Sequence, residues 1–183
     1  MQITDSNIPA VKILQPHRIA DPRGYFCETY SERLLRAAGI DSPFVQDNES
    51  LSAETGVVRG LHYQIAPAAQ AKLIRVVSGA ILDVAVDIRR TSRTFGQHVS
   101  LELSAANGRQ LFVPPGFAHG FITLVPHTII SYKVSHYYSP AHDRGIRWDD
   151  PALKIDWTLD LRTVVLSERD RRHPLMADAV DLF

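Results

Sequence analysis

An imidazole near its working pH, set beside a fixed cation, can take a proton from a carbon next to a carbonyl. The stretch Val57-Val58-Arg59-Gly60-Leu61-His62-Tyr63-Gln64, followed by Lys72, offers that pair. A second histidine, His119, comes after the turn Pro114-Pro115-Gly116. Arg23-Gly24, Arg59-Gly60 and Gly145-Ile146-Arg147 set guanidinium groups beside small residues, which favours close approach by an anion such as a diphosphate. Each residue also has an ordinary structural use. A strand histidine can be satisfied within the core, and Lys72 can be a solvated edge lysine. Tyr132 can be a half-buried core aromatic. Asp170 can simply cap a helix, because Ser167-Glu168-Arg169-Asp170 has the spacing of a capping box.

These groups need strands to hold them. Residues 57–64 are rich in β-branched and aromatic side chains and read as a strand with Gly60, His62 and Gln64 on one face. A glycine beside that imidazole predicts room for something to lie against the backbone. Residues 71–77 read as the next strand, with Lys72 at its start. Upstream, residues 11–14 suit a first strand, Asp21-Pro22-Arg23-Gly24 a turn, and residues 25–30 a strand with Phe26, Glu28 and Tyr30 on one side. A helix is expected over residues 31–38, capped by Ser31 and stopped by Gly39.

From residue 44 onward strand follows strand. Residues 44–50 read as a polar-rich one. In residues 81–88, Leu82, Val84, Val86 and Ile88 face one way and Asp83, Ala85 and Asp87 the other. Asn107-Gly108 is a hairpin signal between residues 98–103 and 110–113. In residues 128–134, Ile130, Tyr132 and Val134 share a face. The C-terminal third reads as irregular, with a short helix after Ser167 and a loose tail. Short strands spaced by Gly, Pro and Asn turns predict a single, mainly β domain over residues 1–183, a barrel or jelly roll with a few short peripheral helices.

Composition narrows the classes. With 183 residues, 45% of them hydrophobic, the chain can build a full core. Lys plus Arg and Asp plus Glu balance at 20 each, which gives no support for a nucleic-acid or membrane-surface partner. No apolar run approaches the length of a membrane span, and residues 1–5 lack the pattern of a signal peptide. The single cysteine, Cys27, excludes an intrachain disulfide and a cysteine-based zinc site. A cytoplasmic protein is expected.

Two resemblances follow from the motifs. The run from Gly56 to His62-Tyr63-Gln64, with the later Pro114-Pro115-Gly116-Phe117-Ala118-His119, resembles both halves of the cupin signature. Cupins usually carry a second histidine where Gln64 stands and a glutamate a few residues on, where this chain has Pro67, Ala68, Ala69 and Gln70. Gln is a poor transition-metal ligand and Ala is none, so the scaffold resembles a cupin double-stranded β-helix from which the metal ligands are lost.

Taken together, DPRGYFCETY, FVQDNES, GVVRGLHYQ, AKLIRVVSGAILDVAVDIR, PPGFAHGFITL, ISYKVSHYYSP and GIRWDDP resemble the dTDP-4-dehydrorhamnose 3,5-epimerase family. They occur in the family's order over about residues 20–175. The resemblance implies a cupin jelly roll without metal or cofactor, a homodimer, acting on a dTDP-linked 4-keto-6-deoxyhexose. It implies that His62 is the base for the protons at carbons 3 and 5, steadied by Asp170. Tyr132 would return a proton from the opposite face, and Lys72 would hold the 4-keto oxygen as it becomes an enolate. Substrate contacts would fall on Arg23, Glu28, Gln46, Asp47, Asn48, Arg59, Lys72, His119, Asp143 and Arg169. Two positions depart from the family: Asp143 stands where glutamate is commoner, and Arg93 where proline is. The expected reaction is inversion of both centres of dTDP-4-dehydro-6-deoxy-D-glucose to give dTDP-4-dehydro-L-rhamnose. Its rivals are a single-centre epimerase of a related deoxysugar, a metal-dependent cupin oxygenase or isomerase, and a sugar-nucleotide binding module without catalysis.

Overall fold

The computed structural model describes residues 1–183, the side chain of residue 161 excepted. Strands β1 (Gln2–Asp5) and β2 (Lys12–Gln15) open the chain, β3 (Arg18–Asp21) and β4 (Gly24–Cys27) form a hairpin, and helix α1 (Glu32–Ala37) follows. Then come β5 (Gln46–Ser52), β6 (Val58–Gln64), β7 (Lys72–Ser78) and β8 (Ala80–Asp87). After them run β9 (His98–Ser104), β10 (Gln110–Val113), β11 (Phe117–Thr123) and β12 (Thr128–Val134). The short β13 (Asp143–Gly145) and helix α2 (Glu168–Arg171) lie in the C-terminal segment.

These strands make two large antiparallel sheets. One has the order β1-β2-β10-β7-β12-β5 and the other β13-β6-β11-β8-β9, while β3 and β4 stand apart as a two-stranded ribbon. Ile74, Val76 and Ile130 of the first sheet meet Ile81, Ala85, Val99 and Phe121 of the second in the space between them. This is the cupin-type jelly roll expected from the sequence. Side chains pointing out of the barrel are covered too. Leu61, Val84, Val86 and Ile122 pack under Trp148, Leu153, Trp157 and Met176 of the C-terminal segment. On the far side Leu35 and Ile40, from α1 and the turn after it, cover Leu14, Leu73 and Phe112. Burying each such side chain favours folding by about 1.5–3 kcal/mol, so the irregular C-terminal third holds one face of the barrel. Both faces of β8 are therefore buried, and the alternation read along it sorts its side chains between two cores.

Four local expectations need correction. The space at Gly60 is taken by protein: a Cβ there would lie 2.5 Å from Gly120 Cα and 2.7 Å from the His119 carbonyl oxygen. The glycine lets β6 and β11 press together at a register shift between His119 and Phe121; it does not open a ligand slot. Asn107-Gly108 joins β9 to β10, which lie in different sheets, so the turn is a crossing between sheets rather than a hairpin. Ser31 occupies the N-cap of α1, but its side chain makes no capping hydrogen bond, whereas Gly39 does stop the helix with φ of +80°. The tail is anchored: Met176 and Ala179 are buried, and the Arg90 N–H donates to the Phe183 carbonyl at 2.7 Å.

Candidate active site

A cavity of about 560 Å³ opens between the two sheets. The five-stranded sheet contributes Arg59 and His62 from β6, with His119 from β11. The six-stranded sheet contributes Lys72 from β7 and Tyr132 from β12. Arg169 and Asp170 close one side from α2. That helix is held in place because Val165 exchanges backbone hydrogen bonds with Gly56 and Val58, each at 2.9 Å, beside the start of β6.

Two histidine–aspartate pairs stand on this wall. Nε2 of His62 lies 2.6 Å from Asp170 Oδ1, which leaves Nδ1 as the ring nitrogen free to take a proton. Asp170 does also sit in a capped turn, since its backbone N–H donates to Ser167 Oγ at 3.1 Å. Ser167 is thus the cap of this turn, and the carboxylate of Asp170 is directed to His62 instead of capping the helix. Nε2 of His119 lies 2.7 Å from Asp83 Oδ1, and this pair is buried within the sheet. His119 is the register partner of His62 across β11 and β6.

Burial sets the proton affinities. It pushes His62 below the ordinary imidazole value, with Lys72 and His173 acting in the same direction and Asp170 opposing them. The ring is therefore neutral, and ready to act as a base, at neutral pH. Lys72 is lowered to about 8 by burial, against the pull of Asp143 and Asp83, and its ammonium donates to the His62 carbonyl at 3.3 Å. Burial raises the Tyr132 phenol, so it stays protonated. Burial alone would raise Asp170, but the imidazoles of His173 and His62 hold its carboxyl well below the usual range.

The expected substrate contacts divide into three groups. Arg59, His119 and Arg169 line the main cavity with the four residues given chemical roles. Gln46, Asn48 and Asp143 line a cleft of about 260 Å³ that shares His62, Lys72, Tyr132 and Arg169 with it. Asp143 there is ion-paired with Arg169 at 2.5 Å. The third group lies elsewhere in this chain. Arg23 is on the exposed hairpin and binds Asp21, while Glu28 and Asp47 line a different hollow, with Asp47 paired to Lys133 at 2.8 Å. Arg147 is likewise engaged by Asp149 at 2.8 Å.

Residues that had no assignment in the sequence also matter. Ser50, Phe121 and Ile130 are among the further residues of the cavity wall, Asp83 supports His119, and His173 packs behind His62. A carboxylate inside the apolar run of β8 was the available signal for Asp83. Gln64, at the lost cupin ligand position, has both ends of its amide committed: Nε2 donates to the Ala68 carbonyl at 2.7 Å and Oε1 accepts from the Ser139 N–H at 2.7 Å. That donor set is structural and does not suit a metal shell.

Known proteins match this chain along nearly all of its length. The pattern of the dTDP-4-dehydrorhamnose 3,5-epimerase family covers residues 5–178. The dTDP-4-dehydrorhamnose 3,5-epimerase of Sinorhizobium fredii is 52% identical over 178 residues, 97% of this chain and 91% of that protein. A crystal structure of the Bacillus anthracis enzyme with TDP and PPi bound superposes with a TM-score of 0.92 at 50% identity, covering 95% of this chain and 98% of that one. The Legionella pneumophila dTDP-6-deoxy-D-glucose-3,5-epimerase, in complex with dTDP-4-keto-L-rhamnose, gives the same TM-score of 0.92 at 43% identity, with coverage of 97% and 93%.

Proposed function

This chain belongs to the dTDP-4-dehydrorhamnose 3,5-epimerase family, and we propose that it inverts carbons 3 and 5 of dTDP-4-dehydro-6-deoxy-D-glucose to give dTDP-4-dehydro-L-rhamnose. One observation carries the reading: His62 and Tyr132 line a single cavity from opposing sheets, with the Lys72 ammonium beside them. The protons at both carbons are acidic only because a ketone sits between them, so the barrier is enolate formation. His62 removes a proton through Nδ1, the C–H electron pair forms a double bond to carbon 4, and the carbonyl π pair moves onto the 4-keto oxygen. Lys72 meets that oxygen as its charge grows, which stabilises the transition state more than the neutral ketone. Tyr132 returns a proton to the other face, the configuration inverts, and solvent restores the phenol and imidazole. Asp170 fixes the tautomer of His62 and steadies the imidazolium, as in other His–Asp pairs. No step consumes an oxidant, a reductant or a cofactor.

Arg59, His119 and Arg169, with Gln46, Asn48 and Asp143 beside them, hold the sugar and its diphosphate. The span 1–183 works as one catalytic unit in the cytoplasm, with neither nucleic acid nor membrane as partner. It acts as a homodimer. The ribbon of β3 and β4 supports this, since it pairs with neither sheet and leaves Phe26 70% and Tyr25 60% exposed, an apolar surface suited to a second copy. Arg23 and Glu28 flank that ribbon and serve the partner's site in this arrangement, which explains why they lie outside their own cavity. Replacing Phe26 by Asp should shift the protein to monomer in sedimentation; an unchanged dimer would place the interface elsewhere.

An NMR time course with dTDP-4-dehydro-6-deoxy-D-glucose in heavy water tests the reaction. Deuterium should enter at both ring carbons and the rhamno product should appear. Incorporation at one carbon only would make the chain a single-centre epimerase, and none at all would remove the assignment.

A further inference from the structure

The slot behind the base is filled by a histidine that the reaction does not use. Gly145 of β13 is the register partner of His62 on β6. A side chain at Gly145 would overlap the ring of His173, so the missing Cβ makes the space that this ring occupies. There His173 meets His62 edge to face, with ring centroids 5.4 Å apart and planes at 73°. Its side chain is only 11% exposed. Nε2 of both imidazoles turns toward the same oxygen, Asp170 Oδ1, at 2.6 Å from His62 and 3.6 Å from His173. The second distance is too long for a hydrogen bond, and among the described residues the buried Nε2 of His173 has no other partner. The segment carrying it is fixed by the Arg147 N–H donating to the Pro174 carbonyl at 2.8 Å.

We propose that His173 is a positioning residue for the base: its ring, seated over Gly145, confines the His62 imidazole and presents a second N–H to the carboxylate that both rings share. The inference rests on the epimerase reading. A leucine would fill the same buried slot more cheaply than an imidazole with an unpaired nitrogen, so the nitrogen is what needs explaining. It becomes useful when His62 takes a proton on Nδ1 while its Nε2–H stays on Asp170, because the carboxylate then has a ring nitrogen on each side that holds it in place. Small displacements of a reacting group cost large factors in rate, so a residue that touches no substrate can still set the rate.

The test compares His173→Leu, which keeps the bulk and loses the N–H, with His173→Gln, which keeps a donor. The leucine variant should lose roughly tenfold or more in kcat with KM unchanged, and glutamine should recover most of that loss. The acidic limb of kcat/KM should also move to higher pH in the leucine variant. His173 is one of the groups holding the His62 affinity down, and without it the base is protonated at a higher pH. Asp170 and Lys72 are the other charged groups acting on that ring, with Arg59, His119, Tyr132 and Arg169 around the cavity common to both variants. Wild-type rates for both variants would overturn the inference, as would equal losses in both accompanied by a raised KM. An inactive wild type in the same assay would instead remove the epimerase assignment itself.

Discussion

The two histidine–aspartate pairs on the five-stranded sheet share one chemistry and differ in their surroundings. His62 is 29% exposed on the cavity wall, and its carboxylate comes from α2, far along the chain. His119 is 9% exposed, and Asp83 comes from the neighbouring strand β8 inside the same sheet. The first pair can exchange a proton with a ligand while its carboxylate stays fixed behind it. The second is held within the sheet and shapes the wall. The more exposed pair is thus suited to proton transfer, and the more buried one to support of the wall that its ring also lines.

Removing each ring should separate these roles. His62→Ala should abolish carbon-bound exchange, a loss of about 100- to 10,000-fold, while dTDP still binds. Retained exchange would mean that another residue is the base. His119→Ala should instead weaken substrate binding and cost stability, on the order of 1–3 kcal/mol in denaturant unfolding, because the buried Asp83 carboxyl loses its hydrogen-bond partner. An unchanged unfolding midpoint would make the pair as dispensable as a surface contact.

Smaller changes sharpen the contrast. Asp170→Asn keeps the shape but favours the wrong tautomer of His62, so kcat should fall by about 100-fold or more with little change in unfolding. Tyr132→Phe should reduce net inversion more than deuterium wash-in, since wash-in needs only the base. Equal loss of both would contradict its role as the acid. The mildest test is pH. The neutral His62 should give kcat/KM an acidic limb below the ordinary imidazole value, and loss of the Lys72 ammonium should give a basic limb at about 8. A Lys72→Arg variant, whose cation does not titrate in this range, should lose that basic limb.

Local pattern and family motifs made different parts of this molecule legible. The alternation in β6, β7, β8 and β12 put His62, Lys72 and Tyr132 on strands, and the ordered motifs pointed to the roles proposed for them. Contacts made across the fold were harder to read. Gly60 looks the same in a string whether its neighbour is a ligand or the backbone of Gly120. Asn107-Gly108 carries the residues of a hairpin turn, but the chain crosses to the other sheet there, a choice made by the packing of β10 between β2 and β7. His173 becomes meaningful only when β13 brings Gly145 beside His62. Arg23 and Glu28 match family positions yet do not line the main cavity of this chain, a separation that a string of residues does not reveal. The tail looks loose in sequence, whereas Met176 enters the core beneath the sheet.

The central claim is that acid and base face each other across the sugar with an ammonium at its ketone. A crystal structure with the dTDP-4-keto sugar, or with a stable dTDP-sugar analogue, tests it most directly. Lys72 Nζ should lie within about 3.2 Å of the oxygen on carbon 4, with the rings of His62 and Tyr132 on opposite faces of the hexose. A complex with both rings on one face, or with the ketone turned away from Lys72 toward a metal ion held by His62 and His119, would contradict it.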